Sequence, residues 1–175
     1  MITLSNEILE NILTRTSVRR FSPEPVPEGD IDAILRAAMS APTGVNRRPW
    51  FFYVVEDKDV LASLAGVLPY AKMAKDAPLA ILVCGDSSRF LEGDDSTLWV
   101  QDVSAASENI LLAAHALGLG GVWTCLYPHQ DRMDAVRKLL DIPSALVPFN
   151  LIPIGYPAAP QKPMDKYSPD RIKRI

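Results

Sequence analysis

The run Trp99–Leu117 places the tightest limit on the fold. Its apolar residues Val103, Ala106, Ile110, Ala113, Ala114 and Leu117 recur at helical spacing and cover a broad surface of small side chains. Asp102, Ser104, Ser107, Glu108 and Asn109 are set among them, and Gly118 with Gly120-Gly121 ends the run. A helix with two packing faces belongs at the centre of a structure, against its own sheet and against a second subunit.

The remaining segments supply that sheet and its covering helices. Leu79–Cys84 is a continuous apolar run between Pro78 and Gly85, the pattern of a strand covered on both faces. Phe51–Glu56 is aromatic and β-branched, and Val122–Leu126 and Val147–Ile154 are further strand candidates. Pro148 and Pro153 are unusual inside such a strand. Helical spacing marks Ser5–Leu13, with Ser5 as N-cap and Ile8, Leu9, Ile12 and Leu13 on one side. It also marks Glu28–Ser40, Lys58–Val67 and Gln130–Leu140, with a shorter piece at Tyr70–Lys75. The polar loop Gly85–Asp95 carries no motif. This order predicts one domain over residues 1–175, α/β or α+β around one sheet, without regular βαβ winding.

The last 21 residues, Gly155–Ile175, contain four prolines and little helix or strand pattern. Extended, they reach roughly 70 Å, against a radius of gyration near 16 Å for a domain of this size. Tyr156, Tyr167 and Ile172 favour a tail that embraces a partner subunit over one that hangs free.

A formal net charge of −3 argues against a nucleic-acid or membrane-surface protein. The cations are gathered at Arg15–Arg20, at Arg47–Arg48 and in the tail, which suits grips for a small ligand. No apolar run reaches the roughly 18 residues of a membrane span, and Met1–Thr14, amphipathic with Glu7 and Glu10, does not read as a signal peptide. Cys84 and Cys125 lie in apolar runs without a CxxC pattern, which predicts buried, reduced thiols and a cytoplasmic setting. His115 and His129 have no metal-ligand spacing, and His115 reads as a satisfied helix residue. There is no GxGxxG after a strand, no phosphate-binding Walker loop and no nucleophile elbow.

Chemistry concentrates instead in Arg15-Thr16-Ser17-Val18-Arg19-Arg20-Phe21. As extended backbone, this stretch points Arg15, Ser17 and Arg19 the same way. Two guanidinium forks and a hydroxyl on one face suit a phosphate monoester. The same basic residues after a helix would also answer the partial charge of its last carbonyls. A second candidate is the turn-rich loop Ala41–Trp50, and Trp50, Trp99 and Trp123 are available either to line a cleft or to fill the core.

Taken together, these pieces resemble the flavin-dependent nitroreductase family from about Ile8 to the tail. Arg15–Phe21 is similar to its R-x-S-x-[RK]-x-[FY] phosphate grip, and Ala41–Trp50 with Phe52 to its A-P-S-x-x-N-x-Q-P-W-x-F loop. Asp102–Trp123 resembles its long dimer helix and glycine turn, and Gly155-Tyr156-Pro157-Ala158 its close. The resemblance implies an α+β, three-layer α/β/α fold with a mostly antiparallel central sheet. It also implies an intertwined homodimer with FMN at the subunit interface. Carried over, Arg15, Thr16, Ser17 and Arg19 hold the FMN phosphate, with Lys166 as a further cation. Pro42, Thr43 and Asn46 face the ring from the partner subunit, and the Trp123-Thr124-Cys125 backbone passes the flavin edge, Cys125 giving backbone rather than thiol chemistry. Lys72 or Lys75 matches the lysine near the flavin pyrimidine. Arg48 stands where the family usually has Gln, which puts a cation near the entrance or ring edge. The implied activity is hydride transfer from NADH or NADPH through flavin N5 to a nitroaromatic, quinone or related small acceptor, with ping-pong kinetics. Two other readings stay open: a specialised flavin enzyme such as a reductive dehalogenase, and a flavin-binding or regulatory dimer without nicotinamide-driven turnover.

Overall fold

A computed structural model describes residues 6–175. Five strands form one sheet: β1 (Trp50–Val55), β2 (Leu79–Asp86), β3 (Gly120–Gly121), β4 (Thr124–Cys125) and β5 (Leu146–Gly155). Their order is β1-β2-β5-β3, with β4 also on β5, and every ladder is antiparallel. Among the described residues, five α-helices accompany them: α1 (Glu7–Thr14), α2 (Glu28–Met39), α3 (Lys58–Val67), α4 (Trp99–Ala116) and α5 (Gln130–Leu140).

The side-chain alternation of β2 divides the core in two. Leu79, Ile81 and Val83 face a cluster built with Ile31 and Ile34 of α2 and Val103 and Ile110 of α4. Ala80, Leu82 and Cys84 face the opposite cluster, with Leu61 and Leu64 of α3 and Met133 and Val136 of α5. A strand buried on both faces needs apolar residues at every position, hence the unbroken run LAILVC. The result is the expected α+β sandwich of helix, sheet and helix.

The polar residues of α4 turn out to be its ties to other elements. Asn109 Nδ2 donates to the Ala37 carbonyl at the end of α2 (2.8 Å). Ser107 Oγ donates to the Val103 carbonyl (2.7 Å) and accepts from Asn150 Nδ2 of β5 (2.8 Å).

Two prolines are accommodated inside β5 by irregularities in the ladder. Pro148 stands opposite Cys84 just past a register shift, and the Phe149 carbonyl there accepts from both Leu126 and Tyr127 N–H (3.0 Å each). Pro153 falls in the stretch between the pairs Gly121–Ile154 and Thr124–Leu151. Proline has no N–H to give, and pairing lapses over Val122-Trp123. Of the single strand expected over Val122–Leu126, only β4 (Thr124–Cys125) forms, and β3 precedes it at Gly120–Gly121. The piece expected at Tyr70–Lys75 is a 3₁₀ turn at Lys72–Asp76.

Helix α1 is capped by Asn6, whose Oδ1 accepts from the Ile8 and Leu9 N–H groups (3.0 and 3.3 Å). The expected cap, Ser5, lies outside the described residues. Polar contacts seat α1 on α4: Asn11 Nδ2 donates to the Leu112 carbonyl (3.1 Å), and Thr14 Oγ1 meets His115 Nε2 (2.9 Å). Its apolar residues Ile8, Leu9, Ile12 and Leu13 face outward, each at least 46% exposed. The tail joins the body through Ala158, whose N–H donates to the Arg20 carbonyl (2.9 Å); Ala158–Tyr167 is exposed throughout. No helix among the described residues is long and apolar enough to cross a membrane.

Candidate functional site

The Arg15–Phe21 stretch lies along the margin of the sheet. Ser17 bridges Gly121 in parallel, the Val18 N–H donates to the Gly121 carbonyl (3.0 Å), and Phe21 bridges Pro157. Val18 and Phe21 are buried beside Ala77, while Ser17 and Arg19 are exposed, the alternation of an extended chain. Glycine permits the contact with β3: a Cβ on Gly120 would stand 2.3 Å from Val18 Cγ2.

Arg15 is only 17% exposed, and its Nε lies 3.5 Å from Glu108 Oε1. Its Nη1 is buried with no hydrogen-bond partner among the described residues. A buried donor on a permanent cation is costly when unmatched, so the geometry is complete only when an acceptor is supplied. Burial, then the Arg15 charge, lowers the His115 pKa from its ordinary value of 6.5.

Beyond the glycine turn, the Trp123 N–H group meets no backbone acceptor among the described residues. Thr124 is buried, its hydroxyl donating to the Leu151 carbonyl (2.6 Å). The prediction of two buried thiols fails for one of them. Cys84 is buried, and burial pushes its thiol up to about 12, whereas Cys125 is exposed. The short pieces β3 and β4 form one margin of the sheet, and a two-residue edge strand leaves alternate side chains outside. The Cys125 carbonyl accepts from Arg132 Nη1 (3.1 Å), and the Arg132 guanidinium lies 5.1 Å above the Tyr70 ring. That contact brings the turn leading to Lys72 beside β4. Lys72 Nζ itself donates to the Ala65 carbonyl (3.1 Å) and lies 3.5 Å from that of Gly66, engaging the last turn of α3. Lys166 lies in the exposed tail.

The Ala41–Trp50 loop is anchored elsewhere on α4. Asp102 is buried and its Oδ1 accepts the Gly44 N–H (2.9 Å). Thr43 Oγ1 accepts the Arg48 N–H (3.1 Å), and the Asn46 N–H donates to the Thr43 carbonyl (3.1 Å). Val45, Asn46 and Arg48 all have left-handed backbone, at φ of 47°, 57° and 52°. Asp102 and Glu108 are six residues apart on α4, or about 9 Å along its axis. The chain thus gathers Arg15, Thr16, Ser17 and Arg19 with Trp123, Thr124 and Cys125, and keeps Pro42, Thr43 and Asn46 as a second group. Of the tryptophans, Trp99 is a core residue stacked on Phe90 at 4.7 Å, and Trp50 and Trp123 are partly buried against the same cluster.

Sequence reasoning did not single out Asp102 as the loop's anchor or Arg89 as its neighbour. The available signal was a carboxylate inside an apolar helical surface. No group of three or more metal-ligating side chains occurs among the described residues.

Comparison with known proteins follows this geometry closely. The model of the "Nitroreductase family" matches residues 12–68 and 64–156. A protein of Methanothermobacter thermautotrophicus, provisionally named an NADH dehydrogenase/NAD(P)H nitroreductase, is 51% identical over 166 residues, covering 95% of this chain and 85% of the relative. The crystal structure of a Bacteroides thetaiotaomicron protein with the same provisional name superposes with a TM-score of 0.92, at 48% identity and 98% coverage of both chains. An FMN-dependent nitroreductase of Clostridium difficile gives a TM-score of 0.86 at 28% identity, covering 95% of this chain and 98% of its own. The family model, the sequence likeness over nearly the whole length and the superposition agree: the chain belongs to the nitroreductase family.

Proposed function

We propose that the chain is an FMN-dependent oxidoreductase that takes hydride from NADH or NADPH and delivers it to a nitroaromatic, quinone or related small acceptor by a ping-pong mechanism. The observation that carries this reading is the buried, unmatched Nη1 of Arg15. A phosphate monoester offers the oxygen acceptors that Nη1 lacks, and the Ser17 hydroxyl and Arg19 guanidinium stand outward on the same margin to complete the grip. The Trp123 N–H, with no acceptor among the described residues, supplies a main-chain donor where a ring edge would pass. The Cys125 side chain takes no chemical role, and its carbonyl stays on Arg132.

When bound, the flavin supplies the redox chemistry, accepting hydride at N5 and returning it to the second substrate. The residues of the chain bind and orient; none is assigned as obligatory acid or base. A single cleft used in turn by donor and acceptor accounts for the ping-pong order.

The proposed working unit is a homodimer, in which Pro42, Thr43 and Asn46 of one protomer close over the group held by Arg15, Ser17 and Arg19 of the other. It is supported by the outward apolar face of α1, by Met164 and Tyr167 at 72% and 73% exposure in the tail, and by the two separate anchor points on α4.

The test is the visible absorption spectrum of the purified protein before and after anaerobic NADPH or NADH, followed by an acceptor. The expected result is a flavin spectrum that bleaches and then returns on adding a quinone or nitroaromatic. A protein that stays colourless after incubation with FMN overturns the reading. Flavin that remains oxidised under both nucleotides points instead to a flavin-binding dimer without turnover.

A further inference from the structure

The strained loop has a neighbour that its sequence context concealed. The turn Ser87–Arg89, which follows β2, packs beside it, and the two border an open groove of about 570 Å³ lined by Val45, Asn46, Arg47, Ser88, Arg89 and Leu91. That volume lies within the range of small-ligand sites, about 300–1,000 Å³. The groove is built rather than incidental: Asp86 accepts from the Ser88 N–H (3.0 Å) and hydroxyl (2.6 Å) and pairs with Arg89 (3.4 Å). Arg89 Nη1 also lies 3.5 Å from the Arg47 carbonyl, joining the two walls. On the other wall, the left-handed backbone at Val45, Asn46 and Arg48 is kept by the Asp102 and Thr43 hydrogen bonds. Non-glycine residues hold such backbone only where their surroundings enforce it, and such sites cluster at ligand clamps.

The charge of this groove is positive. Among the described residues neither Arg47 nor Arg48 has a carboxylate within ion-pair distance, and Asp86 answers only Arg89. Glu92, Asp94 and Asp95 follow in the next turn but do not line the groove. Asn46 is shared between the groove and the group of residues proposed to face the flavin ring, so the groove runs outward from the reaction site.

We propose that this groove receives the phosphate-bearing part of the reduced nicotinamide dinucleotide, with Arg47 and Arg89 as the cations that hold it. The inference rests on the proposed use of NAD(P)H and adds where the donor's negative charge is held. Two guanidinium groups on facing walls match the oxygens of a phosphate or pyrophosphate, and the apolar Leu91 and Val45 offer flat contact to the adjoining sugar or base.

The experiment titrates the purified, FMN-incubated protein with the oxidised nucleotides NADP⁺ and NAD⁺ and with nicotinamide mononucleotide. It is repeated on Arg47→Ala, Arg89→Ala and the double variant, with circular dichroism to show folding. Each single change is expected to weaken NADP⁺ binding roughly fivefold at low salt, the limit set by exposed ion pairs. The effect should shrink as ionic strength rises. Equal weakening of NADP⁺ and NAD⁺ assigns the groove to the pyrophosphate, and weakening of NADP⁺ alone assigns it to the 2′-phosphate; both support the proposal. Unchanged binding in the double variant overturns it. So does a defect confined to the KM of a carboxylated nitroaromatic. Because oxidised nucleotides bind without turnover, failure of the groove is distinguishable from failure of hydride transfer, which the absorption spectrum reads.

Discussion

The Arg15–Phe21 stretch and the Ala41–Trp50 loop are both anchored on α4, and they are prepared for a ligand in opposite ways. The first has ordinary extended backbone, bonded into the sheet margin through Val18 and Phe21, and a side chain whose buried Nη1 is left unmatched. The second has three non-glycine residues in left-handed backbone, with the Gly44, Asn46 and Arg48 N–H groups all provided with acceptors. Left-handed backbone costs an L-residue roughly 1–2 kcal/mol, and the bond from Gly44 to a buried carboxylate offsets about 1.5–3 kcal/mol. One region keeps its incompleteness in a side chain, the other in its main chain. The first should therefore respond to its ligand, and the second to its anchor.

The largest effect is expected where the first region is pinned to the sheet. At Gly120→Val the new Cβ would meet Val18 Cγ2 at 2.3 Å and Cβ at 2.8 Å, neither of them the end of a flexible chain. Overpacking of this kind costs about 3 kcal/mol, a fall in Tm of roughly 6–12 °C for a chain of this length. Thermal denaturation followed by circular dichroism measures it, and an unchanged Tm would show that β3 does not hold the stretch.

Arg15→Met separates ligand from scaffold within the same region. Its ion pair with Glu108 joins a side chain 50% exposed, so the cofactor-free protein should lose no more than about 1 kcal/mol. FMN affinity should fall about 100-fold, the loss of a charge-assisted hydrogen bond worth roughly 2.7 kcal/mol. Flavin fluorescence titration and a melting curve give the two numbers. A large stability loss with unchanged FMN affinity would make Arg15 a structural residue.

These contrasts also show why parts of the molecule could be read from the chain and parts could not. Periodicity reveals burial, so LAILVC and the two-faced helix announced the sheet and its central partner. The alternation of Ser17, Val18 and Arg19 was legible for the same reason. Backbone hydrogen bonding is not written in side-chain pattern, and Pro153, whose register falls opposite Val122-Trp123, leaves the expected strand only Thr124–Cys125. Cys125 looked buried from its apolar neighbours, yet two-residue edge pairing leaves it outside. Asp102 was visible only as a polar residue in the wrong place. Its meaning depends on Gly44, 58 positions earlier in the chain. Arg89 stayed silent because its partner wall is likewise distant in sequence.

A smaller effect is expected at the loop's anchor. Asp102→Ala removes the acceptor for Gly44 N–H and should destabilise the protein by about 2 kcal/mol, read from the urea midpoint at unchanged slope. Asp102→Asn retains an acceptor oxygen and should recover most of that loss. Hydrogen exchange at the Gly44 amide should quicken in the alanine variant while that of Val18, in the other region, stays protected. Equal quickening at both sites would mean that α4 transmits the damage and that the two regions are one unit.

The smallest effect tests the loop's strain directly and carries the opposite sign. Val45 is β-branched, left-handed in backbone and 80% exposed, so its side chain forfeits little when replaced. Asparagine tolerates this conformation, and Val45→Asn should stabilise the cofactor-free protein by about 0.5–1 kcal/mol. Val45→Gly relieves the same strain but gains freedom in the unfolded chain worth about 0.4–1 kcal/mol, so its net change should lie nearer zero. Urea denaturation of the three proteins, with and without FMN, orders them. If asparagine stabilises only the cofactor-free form, the valine side chain is held for a contact that forms on ligand binding or dimer closure, and its strain belongs to the site. If asparagine destabilises both forms, the left-handed turn is set by packing of the valine itself, and the contrast between a relaxed margin and a strained loop loses its second half.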